Sequence, residues 1–346
     1  MAQSAASDRT DVAPIAATGG FGRAVGNRLV IIVPYLWLFV FFLVPFLIVF
    51  KVSLSFTAIA MPPYTPTFDI SGGASALWES VRELTADNYR LLLCDAAGTV
   101  GLGDQFNAYC ASHALDSFSD QPYITVAYVS SIKVAAVSTL LTLLVGFPIA
   151  YGMARAPAAL RPTLLMLVIL PFWTSFLIRV YAWIGILKPE GLLNQLLMYV
   201  GVIDQPLIIM NTYTAIYIGI VYSYLPFMVL PLYSALEKMD YSLVEAAQDL
   251  GCPPTAAFWK ITFPLALPGV VAGSMLVFIP AMGEFVIPDL LGGSQTLMIG
   301  KTLWNEFFNN RDWPVSSAVA VILLLLLVVP IMLFQQAQAR SLEKDR

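Results

Sequence analysis

The stretch Ser242-Leu243-Val244-Glu245-Ala246-Ala247-Gln248-Asp249-Leu250-Gly251-Cys252-Pro253-Pro254-Thr255-Ala256-Ala257-Phe258-Trp259-Lys260-Ile261-Thr262-Phe263-Pro264 is the most informative part of the chain. Ser242 and Glu245 stand three residues apart, the spacing of a capping box, in which a hydroxyl and a carboxylate satisfy the free amides of a helix start. The pattern predicts two helical turns from Leu243 to Leu250, ended by Gly251, because glycine commonly stands just past a helix. Pro253 and Pro254 bar continuation. Pro254 suits the first turn of a second short helix, expected to stop before Pro264. Two short helices result, bearing Leu250, Phe258 and Trp259. Apolar residues there suit either a protein docking surface or a helix resting on lipid, and the residues alone leave both open.

Outward from this loop the chain is strongly apolar. Of 346 residues, 58% are hydrophobic and only 12% charged, about half the charge of a soluble domain. Six segments are long enough to cross a hydrocarbon core, which takes about 20 apolar residues. They are Leu29–Phe50, a stretch within Tyr123–Met153, another within Leu164–Leu187, Tyr213–Ala235, a stretch within Leu265–Pro288, and Val315–Phe334. The prolines inside them would break soluble helices but are tolerated in membranes. The first segment has 22 apolar-run residues, too many for a signal peptide core of about 7–15, and is expected to be retained. The net charge of −4 excludes a nucleic-acid binder, which needs a basic surface.

Arg23 and Arg28 before the first span hold the N-terminus in the cytoplasm, and six spans return the C-terminus to that side. The expected organisation is a cytoplasmic lead at 1–28, a first transmembrane helix at 29–50, and a periplasmic segment at 51–122. A core at 123–338 contains the inner loop 237–264, and a cytoplasmic tail occupies 339–346. The periplasmic segment is acid-rich, and Ala74–Leu93 within it is expected to be helical.

The inner loop then carries a specific resemblance. Glu245-Ala246-Ala247, three residues, Gly251, nine residues, Ile261, two residues and Pro264 resemble the EAA loop of type I ABC-importer permeases. Phe263 replaces a usual leucine. Leu84-Thr85-Ala86-Asp87-Asn88-Tyr89, Gly146-Phe147-Pro148-Ile149-Ala150-Tyr151 and Pro171 to Trp183 are similar to the polyamine branch, as are Phe278 to Gly293 and Glu306 to Pro314, which sit closest to putrescine importers. The resemblance covers about residues 28–338 and is weakest at 94–120. It implies an all-α integral membrane protein with six transmembrane helices, a MetI-like core and a cytoplasmic coupling helix. It further implies a non-catalytic subunit that forms the translocation pathway with a second permease. A pair of ATPase subunits, which bind ATP and Mg, would dock on Glu245, Ala246, Ala247, Gly251, Ile261 and Pro264, and a periplasmic binding protein would deliver substrate. Putrescine is the first expected substrate and spermidine the next. The alternatives are a permease for another small solute, or a stand-alone secondary transporter, which would have no ATPase to dock.

Other motifs fail. Gly300-Lys301-Thr302 lacks the P-loop glycine, since Gln295 stands in its place. His113 is the only histidine, so a metal centre is not expected, and no nucleophile motif supports an enzyme. Cys94 and Cys110 fall in the periplasmic segment, where disulfides persist, and are expected to pair, with Cys252 reduced inside. Lys133 reads as a snorkelling residue and Arg179 as structural, paired with a carboxylate or backbone carbonyls. Glu284 late in the fifth span is the main functional candidate, because a carboxylate in a span is costly. Trp173, Tyr222 and Tyr224 are expected near it to offer aromatic faces to a cation, with Asp289 at the outer mouth. Pairing of Glu284 with Arg179 remains the alternative.

Overall fold

A computed structural model describes residues 32–67, 73–100, 123–294 and 296–344. Among these the chain is helical apart from one antiparallel ribbon, Phe56–Thr57 (β1) with Tyr64–Thr65 (β2). The helices are Ile32–Ser53 (α1), Gly73–Arg82 (α2), Asp87–Val100 (α3), Tyr123–Arg155 (α4), Arg161–Ile169 (α5), Phe176–Leu187 (α6) and Leu192–Tyr199 (α7). They continue with Tyr213–Glu237 (α8), Ser242–Asp249 (α9), Pro254–Met282 (α10), Val286–Leu291 (α11), Ile299–Trp304 (α12) and Trp313–Lys344 (α13). Two units are present, Met1–Lys51 and Val52–Arg346. The expected lead at 1–28, Cys110 and His113 lie outside the described residues.

Four helices, α1, α4, α8 and α10, are long and apolar enough to cross a membrane. One helix pair, Arg161–Trp173 and Phe176–Tyr199, meets at 88°, the geometry of a broken span or of a re-entrant loop. The sixth expected span lies in α13, whose described apolar stretch, Trp313–Val329, is shorter. Helix α4 has 33 residues and so extends about 50 Å, longer than the roughly 30 Å hydrocarbon core. Such a helix must tilt or project beyond it.

The core forms where α4, α8 and α10 meet. Ala150 and Met153 of α4, Met228, Val229 and Leu232 of α8, and Ala266, Val270 and Val277 of α10 are buried together. Small residues let backbones approach in membrane bundles. A Cβ on Gly269 of α10 would lie 2.6 Å from the Ala235 Cβ and 2.8 Å from the Pro231 carbonyl. A second cluster joins Val180 and Leu187 of α6 to Ile216 and Ile220 of α8 and to Ile287 and Leu291 of α11. A third brings Leu92 of α3 and Ile124 of α4 against Ile299, Val315 and Val319.

The structure corrects three local expectations. The helix expected over Ala74–Leu93 is two helices, because the Thr85 hydroxyl caps the Asp87 amide at 3.2 Å and starts α3 afresh. Asn88 next to it donates to the carbonyls of Ser53 and Ser55, both at 2.8 Å, and so fastens α3 to the segment after α1. The expected second short helix of the inner loop does not stop before Pro264. It runs through to Met282, because a π turn at Phe258–Thr262 widens the helix just where Pro264 would otherwise clash with a preceding carbonyl. The fifth span accordingly begins earlier and ends at Gly283, not at Pro288.

Cys94 is buried and disulfide-bonded, and Cys252 is free. Alkylation of the unreduced, denatured chain is expected to label one thiol, on Cys252, by mass; labelling of Cys94 and Cys110 as well would refute their pairing. Gly269→Val is expected to force α8 and α10 apart and to cost about 1–3 kcal/mol, seen as a lower melting temperature in detergent. Gly152→Ala, whose Cβ meets nothing within 4 Å, serves as the neutral comparison.

Candidate functional site

Two regions hold the residues singled out in the sequence. The first is the loop between α8 and α10. Helix α9 is held by Val244, which is buried, while Glu245, Ala246, Gln248 and Asp249 are exposed. The predicted capping box does not form. Ser242 is already helical, and the Asp240 carboxylate accepts its amide at 3.0 Å. The side-chain and backbone hydrogen bonds from Ser242 hold the Asp240 carboxyl below its usual range. At the other end Gly251 has φ +82°. Its amide donates to the Gln248 carbonyl and that of Cys252 to the Ala247 carbonyl, the paired bonds of a Schellman motif. The left-handed geometry favours glycine, and the space around it is open, since a Cβ there meets nothing within 4 Å.

Leu250 is 89% exposed and Trp259 63%, so both lie at the surface as expected, Trp259 against the Phe258 and Phe263 rings. Phe258 does not. It packs edge-on against Phe147 and Tyr151 of α4, with centroids 5.5 Å and 6.1 Å away, because the π turn rotates it inward. The sequence reading missed a clamp at the entrance to α9. Arg155, the last residue of α4, lies 3.8 Å over the Tyr241 ring and donates to the Tyr151 hydroxyl at 2.7 Å. Arg161 and Glu237 form an ion pair at 3.4 Å beside it. Ile261 and Pro264 belong to the π turn and the start of the following helical run.

The second region is the gap between α10 and α11. Glu284 is 7% exposed and lies past the end of α10, not inside a span. One carboxylate oxygen accepts the amides of Val286 at 3.0 Å and Ile287 at 3.3 Å, which caps α11. The other accepts the Tyr224 hydroxyl. Gly300 of α12 packs against the Gly283–Glu284 backbone. Of the three expected aromatic neighbours, Tyr224 is the one hydrogen-bonded to Glu284. Tyr222 instead packs on Trp183 at 5.4 Å. Trp173 is 74% exposed on the 3₁₀ turn after α5.

Arg179 does not pair with Glu284, whose carboxylate faces α11 and Tyr224. Its Nε and Nη1 are buried without a hydrogen-bond partner among the described residues, and its guanidinium lies 5.2 Å over Phe172 and 5.7 Å over Phe176. Phe172 meets Phe227 at 5.2 Å, and Phe227 meets Tyr224 at 6.1 Å. Aromatic rings thus run from Arg179 to Glu284, and Phe172 and Phe227 in that row were not foreseen. Asp289 pairs with Lys301 at 3.4 Å, so it does not present a free negative charge at the mouth.

Residues 123–344 match the model of the family "Binding-protein-dependent transport system inner membrane component". The spermidine/putrescine transport system permease protein PotB of Haemophilus influenzae is 40% identical over 236 residues, 68% of this chain and 82% of that protein. PotB of Salmonella typhimurium is 45% identical over 214 residues, 62% of this chain and 74% of that protein. A crystal structure of a bacterial ABC transporter involved in the import of the acidic polysaccharide alginate is similar in fold. It has a TM-score of 0.56 at 16% identity, covering 92% of this chain and 96% of that one.

Glu284→Ala is expected to strip the cap from α11 and to orphan the Tyr224 hydroxyl, costing about 1–3 kcal/mol. Tyr224→Phe is expected to cost about 1 kcal/mol, since it removes one bond. Thermal melts in detergent measure both. Adding Arg179→Leu to Glu284→Ala is expected to restore nothing, and a recovered melting temperature would show that the two charges do pair.

Proposed function

The chain belongs to the family of binding-protein-dependent transport system inner membrane components, and on that premise we propose that it is a permease subunit of an ATP-driven polyamine importer. Family membership makes it a multi-pass inner-membrane protein and a non-catalytic one. The substrate class is supported by the PotB relatives, 40–45% identical, and by the chemistry at Glu284. A carboxylate beside a row of aromatic rings suits a small cation with ammonium ends, because cation–π contact contributes about 0.5–2 kcal/mol per group. Putrescine and spermidine both meet that description.

The observation that carries the reading is α9, a short exposed helix with apolar Leu250 at its tip. An eight-residue helix is marginal in water, and this one is braced by Val244 and the Arg155–Tyr241 stack. Such bracing suits a helix that receives force from a docked protein. Its partner is an ATPase pair that binds ATP and Mg, with both chain termini on the same cytoplasmic side. A second permease completes the pathway, and a periplasmic binding protein delivers the polyamine.

Proteoliposomes holding this chain alone are expected to take up no labelled putrescine. Uptake is expected once the second permease, ATPase and binding protein are added with ATP. Uptake by the isolated chain would refute the assignment. In the full complex Gly251→Trp is expected to abolish ATP-dependent uptake without lowering membrane insertion, while Gly251→Asn, which tolerates positive φ, retains most of it.

A further inference from the structure

A polar cavity of about 510 Å³ lies between the start of α4 and the turn Asn305–Asn310, lined by Tyr123, Thr302, Asn305, Glu306, Asn309 and Asn310 among others. We propose that it is an ammonium-binding site, which receives one end of the polyamine on the outer side of the membrane before passage. This rests on the polyamine-permease reading.

Glu306 is the decisive residue. It is 6% exposed, and its two carboxylate oxygens accept the Tyr123 hydroxyl at 2.8 Å and the Asn310 side-chain amide at 3.0 Å. Both donors are neutral, so neither supplies a charge opposite to that of a carboxylate. Among the described residues Glu306 forms no ion pair. Lys301, five positions away, is held by Asp289 and the Gly293 carbonyl. If the residue served only to tie α4 to the turn, glutamine would accept the Asn310 amide with its one oxygen and donate its own amide to the Tyr123 hydroxyl oxygen, without the cost of burying a charge. An uncompensated buried carboxylate that lines a cavity fits a cationic ligand.

The remaining lining specifies the cation. Among the described residues no group of three or more His, Cys, Asp or Glu side chains is placed to hold a metal ion. A primary ammonium needs less charge: it has three donors and no acceptor. One carboxylate and neutral oxygens satisfy it. The side-chain oxygens of Asn309 and Asn310 accept no hydrogen bond among the described residues, and Asn305 Oδ1 accepts one, from Asn309 at 2.9 Å. The frame is firm. Phe307 stacks on Trp313 at 4.8 Å, and Asp312 caps α13 at Val315 and accepts the Thr57 hydroxyl.

The test uses the full complex in proteoliposomes, with saturating putrescine-loaded binding protein, and reads labelled putrescine taken up per ATP hydrolysed. Glu306→Gln is expected to accumulate normally, to keep binding-protein-stimulated ATP hydrolysis, and to lower uptake per ATP roughly tenfold, the scale of one lost charge-assisted hydrogen bond. Asn309→Leu is expected to lower it in the same sense. Unchanged uptake per ATP in Glu306→Gln overturns the site. So does a shift in the binding-protein concentration that half-saturates ATP hydrolysis, which would make this face a docking surface. If Glu306→Gln fails to accumulate, Asn309→Leu decides, and unchanged uptake per ATP in that variant overturns the site. A wild-type complex that imports no polyamine overturns the parent reading, and this one with it.

Discussion

Hydrocarbon offers no hydrogen bonds, so a chain that crosses it must satisfy every backbone group from its own atoms. That constraint makes the gap after α10 the critical point of this structure. A helix that ends at Gly283 and restarts at Val286 leaves amides to be met in a buried part of the bundle. Glu284 meets them with one carboxylate oxygen and holds Tyr224 with the other. The same carboxylate therefore closes the backbone of α11 and joins α8 to the gap. Gly300 packs on this break, α11 packs against α6, and a row of rings runs from Tyr224 toward Arg179.

The family and the main spans were legible in the sequence because they are written in local terms. Apolar length marks a span, and the Glu245–Pro264 spacing marks the inner loop. Residues whose partners lie far away in the chain were less legible. Ser242 and Glu245 matched a capping box, yet Asp240 stood two residues earlier and took the amide first. Pro264 read as a stop, and a π turn that no local signal announced carried the helix past it. Glu284 was found because a carboxylate in an apolar run is rare, and Tyr224 was among its expected neighbours, but its backbone partners were not. Charge suggested Arg179, whereas the carboxylate spends its lone pairs on amides, which a sequence does not display as candidates.

Motifs first noticed only as family marks have physical tasks here. Asn88 closes the turn after α1 by bridging two carbonyls. Phe147 receives Phe258 and Phe263 of the inner-loop helix. Asp312 starts α13 and ties it to β1 through Thr57. Each task joins elements distant in sequence, as a membrane bundle requires, because lipid supplies no hydrophobic force to bring helices together.

The continuity of α10 has a mechanical side. From Pro254 to Met282 it is one helix of 29 residues, about 43 Å long, whose irregularities are the π turn near its start and the prolines Pro268 and Pro280 inside it. It therefore joins the loop that holds α9 at one end to Glu284 at the other. A displacement entering near Gly251 meets the π turn and then Pro268 and Pro280, each of which lacks a backbone amide hydrogen, before it reaches Gly283. The next element along the chain is the restart of α11 capped by Glu284, so a movement at the start of α10 that those joints do not absorb ends at that carboxylate.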